Sequence, residues 1–278
     1  MNAYRPNGFR LHSRILAFML KDLTRADWLA ALSLSPDRIP AALVLRGTRN
    51  LKRHYAGHVA LLSDVIEVGS PNALFEDVSV GRLGGVDVAY ASVYGGPMAS
   101  EITHVFGVLG TPLVVQTGVC GALADGIGAG DLVIATAAGC GDGASACYLP
   151  GVGRIDATAD LVANIRETTV LPEPIRAHAG PVWSTAALLA EGMDDLERWH
   201  GDGYLAVDME TAATFAVAET FGMRRVALLS VYDNPRAGEH LLLTETHKDE
   251  ARALGEAAMR DALLALLAAE RPAGVVVG

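Results

Sequence analysis

The stretch YLAVDMETAATFAVAETFG, Tyr204 to Gly222, carries two carboxylates, Asp208 and Glu210, one residue apart in a run otherwise suited to burial. One role open to them is structural. Asp208 would cap the helix that follows, and Glu210 would lie in its first turn, where the positive end of the helix dipole favours an acid. The other role is chemical: a carboxylate held among apolar walls presents two acceptor oxygens in a fork, which suits the vicinal hydroxyls of a sugar. A further acid, Asp233, ends the apolar run LLSVYDNP. There it either starts a turn before Asn-Pro or, if partly buried, holds a proton near neutral pH and acts as a general acid. In VVQTGVCGALADGIGAGD, Gly118 and Gly121 either turn the chain or let its backbone approach a ligand closely. The cluster RGTRNLKR, Arg46 to Arg53, has the charge to bind one anion or simply to face water.

Other chemistries find little support. No Gly-Lys-Ser/Thr follows the glycine run, and no GxGxxG opens a helix, so neither phosphate-cradling fingerprint is present. The histidines form no HExxH pair, no GxSxG elbow occurs, and Cys120, Cys140 and Cys147 have neither zinc-binding nor disulfide spacing. No metal and no cofactor are expected. The sparse thiols fit a cytoplasmic protein.

These residues need strands and helices to place them. LTRADWLAALSL has helical spacing with Thr24 as N-cap, and AALVLR and VALLSDVIEV read as strands. VSVGRLGGVDVAYASV reads as a hairpin about Gly84-Gly85. PMASEITHVFGVLG is a helix, TPLVVQTG a buried strand running into a glycine turn, and DLVIATAA another strand. Ala157 to Thr168 is a helix, IRAHAGPVWST a strand, STAALLAEGMDDLERW a helix and YLAVD a strand. A helix ending at Gly222, the strand RRVALLSVYD and a long helix from Thr244 to Glu270 complete the chain. The alternation predicts a single α/β domain, with a central mixed, mostly parallel sheet flanked by helices. Residues 1–40 are expected to form a helical N-terminal extension, 41–270 the domain and 271–278 a disordered tail. In such folds ligands sit beyond the C-terminal ends of strands, and VVQTGVCG, YLAVDME and LLSVYDNP are all such ends.

A length of 278 residues, 51% of them hydrophobic, suffices for a large core, and no apolar run is long enough to span a bilayer. The net charge of −10 argues against a nucleic-acid surface, which must neutralise phosphates. Neither nucleic acid nor membrane is therefore expected as a partner.

Taken together, LVLRGTRN, VYGGPMASEITHVFGV, VVQTGVCGALADGIGAGDLVIA, AVDMETAATFAVAETFGM and LLSVYDNP resemble the nucleoside phosphorylase and nucleosidase superfamily, in order and spacing. The resemblance implies a phosphorylase/hydrolase-like fold, assembled as a homo-oligomer of two, three or six chains, that cleaves the N-glycosidic bond of a small-molecule nucleoside. It makes Glu210 the residue that grips the ribose hydroxyls and Asp233 the acid facing purine N7. Met209, Tyr94 and Gly95 would line the sugar, Trp183, Ser184 and Thr185 the base pocket, and Gly118 and Val119 the turn beneath the substrate. Gly47, Arg46, Arg49 and Gln116 would surround the nucleophile.

The sequence departs from the phosphorolytic pattern at that last site. Phosphorolytic members carry an arginine where Gln116 stands and often Ser or Thr where Val119 stands, and their phosphate turn appears here as GTRN. A neutral Gln offers neither the charge nor the fork that a phosphate wants. Arg46, Arg49, Lys52 or Arg53 could compensate. The expectation is therefore a nucleosidase that uses water. The alternatives are a purine- or uridine-type phosphorylase, with phosphate as co-substrate, and a non-catalytic nucleoside-binding protein.

Overall fold

The computed structural model describes residues 19–68, 75, 77–242 and 247–270, apart from the side chains of Lys52, Arg53 and His247. Most of the N-terminal extension, the start of the predicted last helix and the 271–278 tail lie outside these residues. The described part of the extension contains α1 (Arg25–Ala31), opened by a reciprocal capping box between Thr24 and Asp27.

The order that follows is β1 (Ala42–Gly47), α2 (Leu51–Val59), β2 (Ser63–Glu67), β3 (Val78–Leu83), β4 (Val86–Val93), α3 (Gly95–Leu109), β5 (Leu113–Ala122), β6 (Leu132–Gly141), α4 (Ser145–Tyr148) and β7 (Arg154–Asp156). Then come α5 (Ala159–Thr168), β8 (Ala177–Thr185), α6 (Met193–Gly201), β9 (Ala206–Asp208), α7 (Thr211–Thr220), β10 (Arg224–Asp233) and α8 (His247–Ala269). Gly84 and Gly85 both have positive φ and form the hairpin between β3 and β4, as their spacing predicts.

One mixed sheet runs β10-β6-β8-β9-β5-β1-β4-β3-β2, and β7 pairs with β6. β10 also pairs with β5, so β5, β10, β6, β8 and β9 close on themselves. Parallel pairings join β4 to β1, β1 to β5 and β5 to β10, which brings the C-terminal ends of these strands to one edge.

Three segments depart from the sequence reading. Val59 ends a helix rather than opening a strand, and β2 starts at Ser63. The glycine turn expected at Gly118 is continuous strand as far as Ala122, because Gly118 and Gly121 are both paired with neighbouring strands. The helix predicted from Ser184 starts only at Met193, leaving residues 186–192 as an irregular segment with one short turn at Leu188–Ala190.

Helix α7 is buried on all sides from Thr211 to Ala218, as its small, unpatterned apolar sequence requires. Its Phe215 packs with Val133, Val182, Ala227 and Leu229 of the closed strands. Burying that ring contributes about 2–3 kcal/mol. Small residues bring α3 against α7. A Cβ on Gly107 would stand 2.6 Å from the Phe221 ring, and one on Gly96 would stand 3.3 Å from Ala213. The N-terminal ends of α3 and α7 therefore lie side by side.

Candidate active site

The two acids of the opening stretch take different roles because the chain turns between them. Asp208, the last residue of β9, accepts hydrogen bonds from the Thr211 amide (2.9 Å), from the Thr211 hydroxyl and from the Ser184 hydroxyl (2.5 Å). It thereby holds the first amide of α7, while Glu210 itself is the N-cap residue. Glu210 leaves the strand direction at φ −126°, ψ −32° and sends its carboxylate towards α3, where Oε1 accepts the Gly95 amide at 2.6 Å. Glycine suits that position, since its φ is +80°. Glu210 is only 6% exposed, and burial first, then the Asp208 charge, pushes its carboxyl up to about 8.

The floor beneath Glu210 is made of backbone. A Cβ on Gly47, at the end of β1, would stand 2.7 Å from Oε2 of Glu210 and 3.2 Å from Nε2 of Gln116. Gly118 is paired with Gly47, and a Cβ there would stand 3.2 Å from the Gly47 carbonyl oxygen. Gln116 is fully buried: its Nε2 donates to the Thr117 carbonyl at 2.9 Å, and its Oε1 accepts the Thr214 hydroxyl at 2.9 Å. Val119 is half-buried beside Ser230.

Met209 and Tyr94, the chain neighbours of Glu210 and Gly95, line a cavity of about 410 Å³ together with Arg49 and residues 186–190, a volume in the range of small-molecule sites. The Arg49 guanidinium lies 5.2 Å from the centre of the Tyr94 ring. A second cavity, beside Val88, Leu113 and Leu267, holds about 20 Å³, room for a water molecule.

Asp233 ends β10 opposite Gly121, just after a register shift between Val231 and Asp233 that re-aims the strand end. A Cβ on Gly121 would stand 3.3 Å from its Oδ1. Asp233 is 8% exposed; burial first, then Glu239, pushes it up to about 6, against the pull of Arg252, His240 and Lys248. The contact of Gly118 with Gly47 and that of Gly121 with Asp233 are three residues apart on β5, roughly 10 Å of strand. The thiol of buried Cys120 is pushed up by desolvation first and then by Asp208 and Asp233.

The structure thus gathers Glu210, Gly95, Gly47, Gly118 and Gln116 at one place, and Met209, Tyr94 and Arg49 around the cavity. Other expected site residues serve the scaffold. The Trp183 indole stacks on Trp199 (ring centres 5.6 Å apart) and meets Tyr204 edge-on. The Ser184 hydroxyl links Asp208 to the Ala212 amide, and the Thr185 hydroxyl accepts the Ala187 amide. Arg46 is diverted from the expected anion site. Its side chain is 1% exposed, and its Nη2 donates to both carboxylate oxygens of Glu256 of α8, at 2.6 and 2.7 Å, because alternation along β1 sends it to the α8 side of the sheet. The side chains of Lys52 and Arg53 lie outside the described residues. Glu191 falls in the run whose spacing predicts a helix interior, but the helix starts only after it, and Gly192 is the sequence signal of that break.

The pattern of the phosphorylase superfamily matches residues 51–268. A guanosine phosphorylase of Halorubrum lacusprofundi is 31% identical over 185 residues, 65% of this chain and 74% of that protein. A DeoD-type purine nucleoside phosphorylase of Myxococcus xanthus is 31% identical over 161 residues, 56% of this chain and 63% of that protein, so the match spans less than two thirds of this second relative. Uridine phosphorylase from Vibrio fischeri ES114 superposes with a TM-score of 0.71 at 21% identity, covering 85% of this chain and 96% of that one. A 5′-methylthioadenosine/S-adenosylhomocysteine nucleosidase from S. pneumoniae superposes with a TM-score of 0.63 at 21% identity, covering 81% and 97%. These two likenesses establish the fold.

Proposed function

The chain belongs to the phosphorylase superfamily, and from that premise we propose that it cleaves the N-glycosidic bond of a purine nucleoside, with water as the acceptor. The observation that carries this is the placement of two buried acids along β5: Glu210 held by Gly95 over Gly47, and Asp233 against Gly121. Breaking the ribosyl C–N bond leaves positive charge on the sugar and an electron pair on the base. Asp233, held near neutrality, donates a proton or hydrogen bond to purine N7, a role worth about 10²–10⁴-fold. Glu210 accepts the ribose 2′- and 3′-hydroxyls. Those donors favour its ionised form, so the charge is in place as the oxocarbenium ion develops. Water adds its oxygen to the anomeric carbon and releases its proton to solvent, from which the Asp233 carboxylate is reprotonated.

Water is favoured because the floor is neutral: Gln116 is engaged by Thr214 and Thr117, and Arg46 by Glu256. Phosphorolysis is the second reading. It is supported by the relatives named as phosphorylases and by Arg49 at the cavity. Self-assembly belongs to the same proposal, with Leu189 and Met193 exposed beside the cavity; sedimentation of the purified protein tests it.

The deciding experiment is base release from a nucleoside panel, with and without phosphate. Free base and ribose at a phosphate-independent rate are expected. Ribose 1-phosphate formed only when phosphate is supplied would replace water with phosphate, and no release from any nucleoside would leave a binding protein.

A further inference from the structure

The two peptide groups that flank Asp233 are both tied to the start of α8. Burial and neighbouring charges act on the Asp233 carboxyl, with no hydrogen bond among them, so its aim depends on the backbone that carries it. Before it, Tyr232 lies within the register shift of β10 and has no counterpart in the pairing with β5. Sheet pairing therefore does not fix the direction of the strand there. The Tyr232 carbonyl instead accepts Nε–H of Arg252 at 2.9 Å, and the Arg252 guanidinium lies 4.2 Å from the centre of the Tyr232 ring. Asp249 accepts Nη1 of the same arginine at 3.0 Å. After it, the Asn234 amide donates to Oε2 of Glu239 at 3.0 Å, and the Glu239 amide donates back to the Asn234 carbonyl at 3.1 Å. Oε1 of Glu239 accepts Nζ of Lys248 at 2.5 Å. Lys248 and Arg252 are four residues apart in α8, so one helix face holds both sides of the acid.

We infer that Glu239 and Arg252 are positioning residues for Asp233, which hold its two flanking peptide groups and so aim its carboxyl at the leaving base. Their charges oppose each other. Glu239 favours the protonated carboxyl, and Arg252 favours the ionised one together with His240 and Lys248. Glu191 and the Cys120 thiol are also within electrostatic reach of Asp233. The assignment rests on the reading of Asp233 as the acid that assists the base.

The test combines the pH profile of purine nucleoside cleavage with a carbon NMR titration of the Asp233 carboxyl, assigned by its loss in Asp233→Asn. The proteins are wild type, Glu239→Gln, Glu239→Ala and Arg252→Met, each checked by its melting curve. Arg252→Met and Glu239→Ala each lose one tie, and kcat is expected to fall about 10- to 100-fold with little change in KM. Glu239→Gln keeps an acceptor for the Asn234 amide, so its kcat should fall less than that of Glu239→Ala. The carboxyl midpoint, and with it the falling limb of kcat/KM, should move to lower pH in both Glu239 variants and to higher pH in Arg252→Met. Midpoints that stay put or move together, or a loss of melting temperature with wild-type kcat, overturn the assignment. If Asp233→Asn turns over like wild type, the leaving-group reading fails instead. Opposite movements of the carboxyl midpoint would then still support the two ties.

Discussion

The Gly95 amide donates a 2.6 Å hydrogen bond to Oε1 of Glu210, joining the first residue of α3 to the residue before α7. Glu210→Gln keeps an acceptor for that amide and removes the charge. Loss of a preorganised electrostatic group of this kind lowers kcat by about 10²–10³-fold. Stability should move the other way. The carboxyl is raised from 4.5 to about 8 in the folded protein, so its contribution is full below the unfolded value and is lost as pH rises through about 8. The glutamine does not titrate. At pH 8 the variant is expected to melt about 2–6 °C above wild type, and the gain should shrink towards pH 5. Melting curves at both pH values check this; a variant less stable at pH 8 would refute it.

Asp233 must be protonated to assist the leaving base, and its carboxyl is raised to about 6. The kcat/KM for a purine nucleoside is therefore expected to fall as pH rises through about 6, in the field of Glu191, Glu239, His240, Lys248 and Arg252. Asp233→Asn should lower kcat about 10²–10⁴-fold, abolish this limb of the profile and leave the melting temperature near that of wild type. A profile with the same limb in both proteins would assign it to another group.

Much of this arrangement is legible in the sequence because it follows local rules. Apolar runs ending in Asp208 and Asp233 mark strand ends, and Gly84-Gly85 marks a hairpin. What is not legible depends on direction and closure. Arg46 and Gly47 are neighbours in sequence, yet alternation along β1 puts one against α8 and the other against Glu210. Pairing of β10 with both β5 and β6 is a long-range event that no local window encodes. Glu191 was hidden by helical spacing on both sides of a segment that does not fold as a helix.

The contact between Gln116 and Thr214 makes the neutral floor testable. Thr214→Val keeps the shape and leaves the buried Gln116 oxygen without its donor, which costs about 1–3 kcal/mol. A lower melting temperature and a reduced kcat/KM are expected, with Thr214→Ser restoring both. The rate should stay independent of phosphate throughout. A Thr214→Val protein with wild-type stability would show that Gln116 is not held by this bond and is free to serve a ligand.

Arg46 distinguishes a scaffold cation from an anion site. Its buried guanidinium is neutralised by Glu256, whose side chain is 31% exposed. Removing one partner of a fully buried pair costs about 3–5 kcal/mol, and the exposure of Glu256 lowers the expectation for Glu256→Ala to about 2–3 kcal/mol. Replacing both partners, with Arg46→Met and Glu256→Leu, should recover most of that loss, since no charge is then left unpaired. Because the pair lies on the α8 side of the sheet, the response to phosphate should be unchanged in every folded variant, while loss of the Arg46 charge, which favours ionised Glu210, should lower kcat only modestly. A cycle of the two single changes and the double change, followed by urea unfolding and by turnover with and without phosphate, measures both properties. If Arg46→Met lost activity out of proportion to stability, or altered the phosphate response, Arg46 would return to the nucleophile site that its sequence position first suggested.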